Sequence, residues 1–320
     1  MIGSRSSVAV PARVAGTAGR WSGGARAASR ARAPDAAGMV ERDGVALGYE
    51  VFGAGRPTVV LLPTWSIVDS RFWKFQVPYL ARHFRVVSFD GRGSGRSGRP
   101  AGAEAYAPGE FARDTLAVMD ATGTERAVLV ALSCGALWGT LVAAGSPERV
   151  AGLVYVGPAV ALAPNHPERD VHAFEDELDA DDGWAKYNRH YWQRDYVGFL
   201  EFFFAQCFSE PHSTKQIEDA VRWGLDTTPE TLIDAIRGLA IGWDEPLARV
   251  CSRVRCPTLV IHGDADRVRP LAQGAALARA AGGELVTLAG AGHLPVGRDP
   301  VRLNLLIREF VESLPATDLR

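Results

Sequence analysis

Apolar and polar positions along this 320-residue chain change period repeatedly, and each change marks an element. In residues 44–52, Val45, Leu47, Tyr49 and Val51 alternate with Ala46, Gly48 and Glu50, the period of two expected for a strand in an antiparallel lead-in hairpin. Residues 58–62, 85–89, 127–132, 150–156 and 257–262 are short, nearly continuous apolar runs, as in strands buried on both faces of a parallel sheet. Residues 284–288 read as one further strand. Helical spacing fills the intervals. A helix is expected from near Ser70, carrying Phe72, Trp73, Phe75, Val77, Tyr79 and Leu80, with Pro78 ending or kinking it. Others are expected over 108–122, where Phe111, Thr115, Leu116, Val118 and Met119 share a face, and over 270–281. A closing helix over 300–314 spaces Leu303, Leu306, Phe310 and Leu314 at three and four residues. Strands alternating with helices predict an α/β protein with a mostly parallel central sheet and helices on both faces.

The alternation is interrupted once. Roughly 100 residues separate the strand at 150–156 from the one at 257–262, far more than a crossover helix needs. Residues 164–241 therefore read as an inserted, mostly helical lid (cap) subdomain, with 39–163 and 242–320 forming the core. The insert is unusually aromatic, with Trp184, Tyr187, Trp192, Phe199, Phe203 and Phe204 among its rings. One apolar face would make the lid's own core and a second would roof a pocket. The acidic run at 175–182 reads as a solvated face rather than a metal site.

Composition narrows the setting. The chain is 47% apolar with a formal charge of −2, enough for a large core and no general reason to expect nucleic acid as partner. Residues 1–38 differ from the rest, holding six arginines and one aspartate in a background of Ala, Gly, Ser and Pro. This tail is expected to be disordered. Val8-Ala9-Val10 is cut off by Pro11, too short for a secretory apolar region, and the glycines and prolines break any transit helix. Met39, directly before ordinary globular sequence, is an alternative start. Four cysteines without CxxC spacing suit a reducing cytoplasm, and no apolar run reaches the roughly 20 residues that cross a bilayer. The expectation is a cytoplasmic monomer or homodimer with no membrane partner.

Chemistry concentrates around Ser133. The apolar run at 127–132 ends there, and the Ala- and Leu-rich stretch after it is helical, so the chain must turn from strand to helix at the serine. A turn that sharp needs small neighbours, and Ala131 and Gly135 stand two residues to either side, the relaxed form of the nucleophile elbow. The plainer alternative is a serine capping a buried helix. A serine nucleophile requires a base that is itself oriented by a third group. Of seven histidines, four (His166, His172, His190 and His212) fall in the insert or its approach. His83 ends a helix and His262 lies in a buried strand. Only His293 follows a strand in a glycine-flanked loop. Asp266, in the loop after the strand at 257–262, is the candidate orienting carboxylate, while Asp264 braces the turn. Ser133, Asp266 and His293 each fall at the carboxyl end of a predicted strand, where open α/β sheets carry their sites. Gly93, Gly95 and Gly98 spell a G-x-G-x-x-G after a strand, but a dinucleotide site needs that motif to open a helix. Here it runs into Arg99-Pro100, so it reads as a tight crossing of the chain.

From about residue 40 to 314 the chain resembles the α/β-hydrolase superfamily, in the branch of small lidded serine esterases. The resemblance is carried by the Asp90-Gly-Arg-Gly-Ser-Gly-Arg-Ser loop, the elbow, the Gly263-Asp-Ala-Asp266 turn and the Gly-His293 loop. It implies an α/β-hydrolase fold with Ser133 as nucleophile, His293 as base and Asp266 as its orienting acid. By position, the backbone N–H groups of Trp65 and Cys134 would form the oxyanion hole. Two departures stand out. Pro63-Thr64-Trp65 occupies the place where the family usually has His-Gly, which restricts φ at Thr64 and predicts a differently shaped hole. Leu132 stands where many relatives are polar; with Thr64, Trp138 and Leu294 it is expected to line an apolar pocket. The implied reaction is hydrolysis of a small apolar or aromatic carboxylic ester through an acyl-enzyme, with a small-molecule substrate and no metal, nucleotide, flavin or other cofactor. A serine at the elbow argues against epoxide hydrolases and haloalkane dehalogenases, whose relatives carry aspartate there. Carbon–carbon bond or thioester hydrolysis is the rival within enzymes, and a ligand-sensing module with little turnover is the rival outside them.

Overall fold

The computed structural model describes residues 32–315. The expectation of disorder over residues 1–31 lies outside the described residues. Eight strands form one sheet: β1 (Ala36–Arg42), β2 (Val45–Phe52), β3 (Thr58–Leu61), β4 (Arg85–Phe89), β5 (Ala127–Leu132), β6 (Val150–Val156), β7 (Thr258–Gly263) and β8 (Glu284–Leu288). Their spatial order is β1-β2-β4-β3-β5-β6-β7-β8. The β1–β2 and β2–β4 pairs are antiparallel and all others parallel. Every residue of β5, β6 and β7 is buried, as their continuous apolar runs require.

The lead-in hairpin closes on Asp43-Gly44, both at positive φ (50° and 78°), the conformation that fits the twist of a two-residue hairpin turn. Its first strand begins at Ala36, inside the stretch expected to be tail. That strand escapes pattern reading because it is an edge held by main-chain pairing, with four of its seven side chains exposed and none buried. The helix expected from Ser70 is instead a 3₁₀ turn (Ser70–Trp73) and a short α1 (Val77–Leu80). Pro78 opens α1 rather than ending it, because the first helical turn has no N–H partner to lose.

Helices α2 (Pro108–Ala121) and α3 (Gly135–Gly145) complete the first half, and α8 (Leu247–Cys251), α9 (Leu271–Ala281), α10 (Pro295–Arg298) and α11 (Pro300–Ser313) belong to the second. The buried stripe of α11 is Leu303, Ile307 and Val311, with Leu306 and Phe310 half-buried beside it. Between β6 and β7 the insert carries α4 (Arg189–Arg194), α5 (Tyr196–Cys207), α6 (Thr214–Gly224) and α7 (Pro229–Gly238). It is tied to loops at the carboxyl edge of the sheet: Thr227 Oγ1 donates to Gly93 O (2.9 Å) and His293 N to Cys207 O (3.1 Å). Its acidic run is largely exposed, and Glu175 bridges Arg189 and Arg237.

The glycine-rich loop after β4 wraps a buried carboxylate. Asp90 accepts Ser70 Oγ (2.6 Å), Arg96 N (3.0 Å) and Arg96 Nε (3.0 Å). Gly95 lies at φ 54°, and a Cβ there would stand 2.5 Å from the Asp90 carboxyl, so no other residue fits. No helix opens on the loop. Among the described residues, no helix is long and apolar enough to cross a membrane.

Candidate active site

β5 delivers Ser133 into the left-handed region, at φ 52°, a conformation that costs a residue with a Cβ on the order of 1–3 kcal/mol. The surrounding backbone holds it there: Ser133 N donates to Val156 O, and Ser133 O accepts from Ala136 N and Ala159 N, each at 3.0 Å. The small neighbours have a steric reason. A Cβ on Gly135 would sit 3.0 Å from Pro63 O, and one on Gly139 would meet Leu62, Leu153 and Ala131 at 3.2–3.4 Å. The hydroxyl therefore stands at the head of α3, above the carboxyl edge of the sheet.

His293 and Asp266 meet it there. Ser133 Oγ lies 3.0 Å from His293 Nε2, and His293 Nδ1 lies 2.7 Å from Asp266 Oδ2. Both His293 and Asp266 are buried. The other Asp266 oxygen accepts the backbone N–H groups of Val268 (2.7 Å) and Arg269 (2.8 Å). Burial alone would push this carboxyl up; the His293 charge and the hydrogen bonds from His262 and His293 outweigh it and hold the group well below the usual carboxylate range. Asp264 is exposed and accepts Gly290 N (2.7 Å), bracing the loop that leads to His293.

One residue of this cluster was not singled out by its place in the sequence. His262 Nε2 lies 3.1 Å from Asp266 Oδ2 and 3.1 Å from Arg269 O, both acceptors. Nε2 must therefore carry the proton. Nδ1 is buried without a partner, facing α9 so closely that a Cβ on Gly274 would be 2.2 Å away. With His262, Asp266 receives four hydrogen bonds. The pairing of a strand histidine with a carboxylate four residues on was the available signal.

The loop after β3 is pinned by two indoles, Trp73 Nε1 donating to Leu62 O (3.0 Å) and Trp138 Nε1 to Pro63 O (2.8 Å). Among the described residues the backbone N–H groups of Trp65 and Cys134 donate to no other residue. Thr64 is not among the positive-φ residues, so the missing glycine imposes no backbone strain. Burial pushes the Cys134 thiol up, which disfavours its thiolate.

An apolar cavity of about 110 Å³ opens beside Ser133 and His293, small against the roughly 300–1,000 Å³ of ordinary ligand pockets. Thr64, Trp65, Leu132 and Leu294 line it, joined by Phe203, Phe204 and Phe208 from the insert. Trp138 does not. It is buried behind the elbow, stacked on Phe111 at 4.4 Å with its N–H spent on Pro63, so its role is to hold the loop rather than to meet a ligand. Lys74, Lys215 and Asp219 are the charged members of the lining, and Lys74 Nζ lies 2.6 Å from Asp219. Trp65 turns its indole into the insert's aromatic cluster, 5.7 Å from Trp192 and 5.6 Å from Phe203.

Comparison with known proteins places the chain in a family. RutD of Azorhizobium caulinodans, named for carbamate hydrolysis, is 38% identical over 34% of this chain and 40% of its own length. The chain thus matches about two fifths of that relative. The pimeloyl-acyl-carrier-protein methyl ester esterase of Vibrio campbellii is 28% identical over 70% of this chain and 82% of its own. Among solved structures, Est816, an N-acyl homoserine lactone degrading enzyme, superposes with a TM-score of 0.70 at 27% identity, covering 85% of this chain and all of that one. The model of the alpha/beta hydrolase fold matches residues 57–300, and the chain belongs to that family of hydrolases.

Proposed function

We propose that this protein is a serine hydrolase that cleaves a carboxylic ester bearing a small apolar or aromatic group. The observation that carries the reading is the unbroken path from Ser133 Oγ to His293 (3.0 Å) and on to Asp266 (2.7 Å). His293 takes the Ser133 proton as the oxygen attacks the ester carbonyl, and Asp266 fixes the Nδ1–H tautomer and steadies the imidazolium. The N–H groups of Trp65 and Cys134 receive the developing oxyanion, a stabilisation worth on the order of 100- to 1000-fold per donor. His293 then returns the proton to the leaving alcohol, and water releases the acid by the same steps in reverse. The insert acts as a lid, its Phe203, Phe204 and Phe208 excluding water from the cavity. Lactones, the class degraded by Est816, are intramolecular esters and would follow the same route.

A fluorophosphonate probe followed by peptide mapping tests the reading. Label is expected on Ser133 alone, and Ser133→Ala should lose both label and ester turnover, the latter by on the order of a millionfold. A folded enzyme that stays unlabelled at Ser133, or a Ser133→Ala variant that hydrolyses esters as wild type does, would sink it.

A further inference from the structure

We propose that the active site carries, beside its apolar cavity, a carboxylate-binding subsite built from Arg169 and Arg269, so that the preferred ester bears an anion as well as an apolar group. This rests on the ester reading above and adds a substrate class to it.

The two arginines flank the loop that holds Asp266. Arg269 follows it by three residues, and its own N–H donates to Asp266 Oδ1 (2.8 Å). Arg169 ends the 3₁₀ turn Pro167–Arg169 at the start of the insert. Its Nη1 donates to Val268 O, while His166, three residues earlier, places Nε2 2.8 Å from Asp266 O. The Arg169 guanidinium lies over the rings of Trp184 (4.3 Å) and Tyr187 (5.1 Å). Tyr187 in turn is 6.1 Å from the Trp65 ring, so one ring separates this cation from a residue proposed for the oxyanion hole.

Among the described residues neither Arg169 nor Arg269 forms an ion pair with a carboxylate. Asp266 acts on Arg169 from a distance, but its hydrogen-bonding positions are taken by two imidazoles and two backbone amides. Arg269 Nε is buried without an acceptor, and its Nη1 has only a contact at the 3.5 Å limit, with Asn165 Oδ1. The Trp65 Nε1 donor is buried without an acceptor too. Burial and the neighbouring Arg269 charge push Arg169 down to about 10. Two half-buried like charges, one with a buried unsatisfied donor, are unfavourable unless a ligand supplies the counter-charge, and a planar guanidinium fork matches a carboxylate best. A purely structural role, in which Arg169 pins the insert to the core through its hydrogen bond to Val268 O, leaves the unspent Nε donor of Arg269 without a purpose.

The test uses two matched ester pairs, so that the anion is offered on either side of the scissile bond. Mono-4-nitrophenyl glutarate is compared with 4-nitrophenyl pentanoate, and the butyrate ester of 4-hydroxybenzoate with phenyl butyrate. In at least one pair the anionic ester is expected to have the higher kcat/KM by tenfold or more, a preference that shrinks as salt rises. Arg169→Gln and Arg269→Gln should each reduce that preference about tenfold, chiefly through KM, and Arg269→Lys should restore part of it. Neutral esters turned over as well as or better than anionic ones in both pairs would overturn the subsite while leaving the ester reading intact, as would a preference that survives the double Gln variant. If no ester is turned over, the ester reading fails by itself. The subsite is then decided on Ser133→Ala by thermal shift: glutarate or 4-hydroxybenzoate should stabilise it and pentanamide should not, and equal shifts in the double Gln variant would overturn the proposal.

Discussion

His262 shows how a buried side chain can matter to chemistry it never touches. Its Nε2–H and that of His293 Nδ1 converge on one oxygen of Asp266, so the carboxylate cannot rotate without breaking both. Replacing His262 by Phe removes one of the two restraints on Oδ2 and lets the carboxylate turn about its Oδ1 contacts, shifting His293, and misplacement of that kind costs up to about 100-fold. His262→Phe is therefore expected to lower kcat with little change in KM, and His262→Gln, which keeps an N–H at similar reach, to recover most of it. Equal losses in both variants would assign His262 to packing alone. Asp266 yields a stability prediction whose sign follows from its depressed pKa. A carboxylate whose folded value lies below its unfolded value of about 3.9 stabilises the fold at every pH above that, and the contribution is lost as pH falls from about 4 toward the folded value. In urea titrations, the gap between wild type and Asp266→Asn should be widest near neutrality and narrow below pH ~4. A gap unchanged down to pH ~3 would contradict the assignment.

At the level of elements, α5 decides the size of the cavity. Its inner turn places Phe203 and Phe204 on the lining, and Phe208, just beyond its end, closes the floor near α10, where a Cβ on Gly297 would come within 3.2 Å of the ring. Phe208→Ala should lengthen the cavity and move the preferred acyl chain upward: the kcat/KM ratio of octanoate to butyrate esters should rise by at least about tenfold, in line with 1–3 kcal/mol per methylene in an apolar pocket. An unchanged chain-length profile would show that acyl groups lie elsewhere. The same element shows where sequence reading stops. β5, the turn at Ser133 and the helix after it are legible because a short continuous apolar run suits a strand buried on both faces, and small residues at 131 and 135 leave room for a tight turn. The burial of Trp138 behind that turn is not legible, since an indole five residues after Ser133 looks the same in sequence whether it faces a ligand or Pro63 O. Nor is β1, whose pairing is made by main-chain groups that leave no side-chain pattern. The hold of Cys207 O on His293 N joins residues 86 positions apart through a carbonyl every residue possesses.

Across the molecule as a whole, the edge strand, the glycine-rich loop and α2 are joined through one buried carboxylate. Asp114 on α2 accepts Arg42 Nε from β1 (2.7 Å) and both Arg92 Nε and Nη2 from the loop (2.7 Å each). Asp114 and Arg92 are both buried, and Arg92 also donates to Ala105 O (2.6 Å). Two segments that share no sheet pairing with α2 thereby meet on one of its carboxylates, with Glu110 also pairing Arg42, and removing Asp114 leaves the buried Arg92 largely uncompensated. Glu110, 3.5 Å from Arg92 Nη2, can compensate only in part. Asp114→Asn is therefore expected to cost about 3 kcal/mol, at the lower end for breaking a buried ion pair, seen as a lower urea midpoint with an unchanged slope. Ester kcat/KM of the folded protein should stay at the wild-type level, because none of these side chains lines the cavity. If Asp114→Asn unfolds at the wild-type midpoint, the network contributes nothing net; if it loses activity while keeping its stability, the loop couples to the site by a path these contacts do not contain.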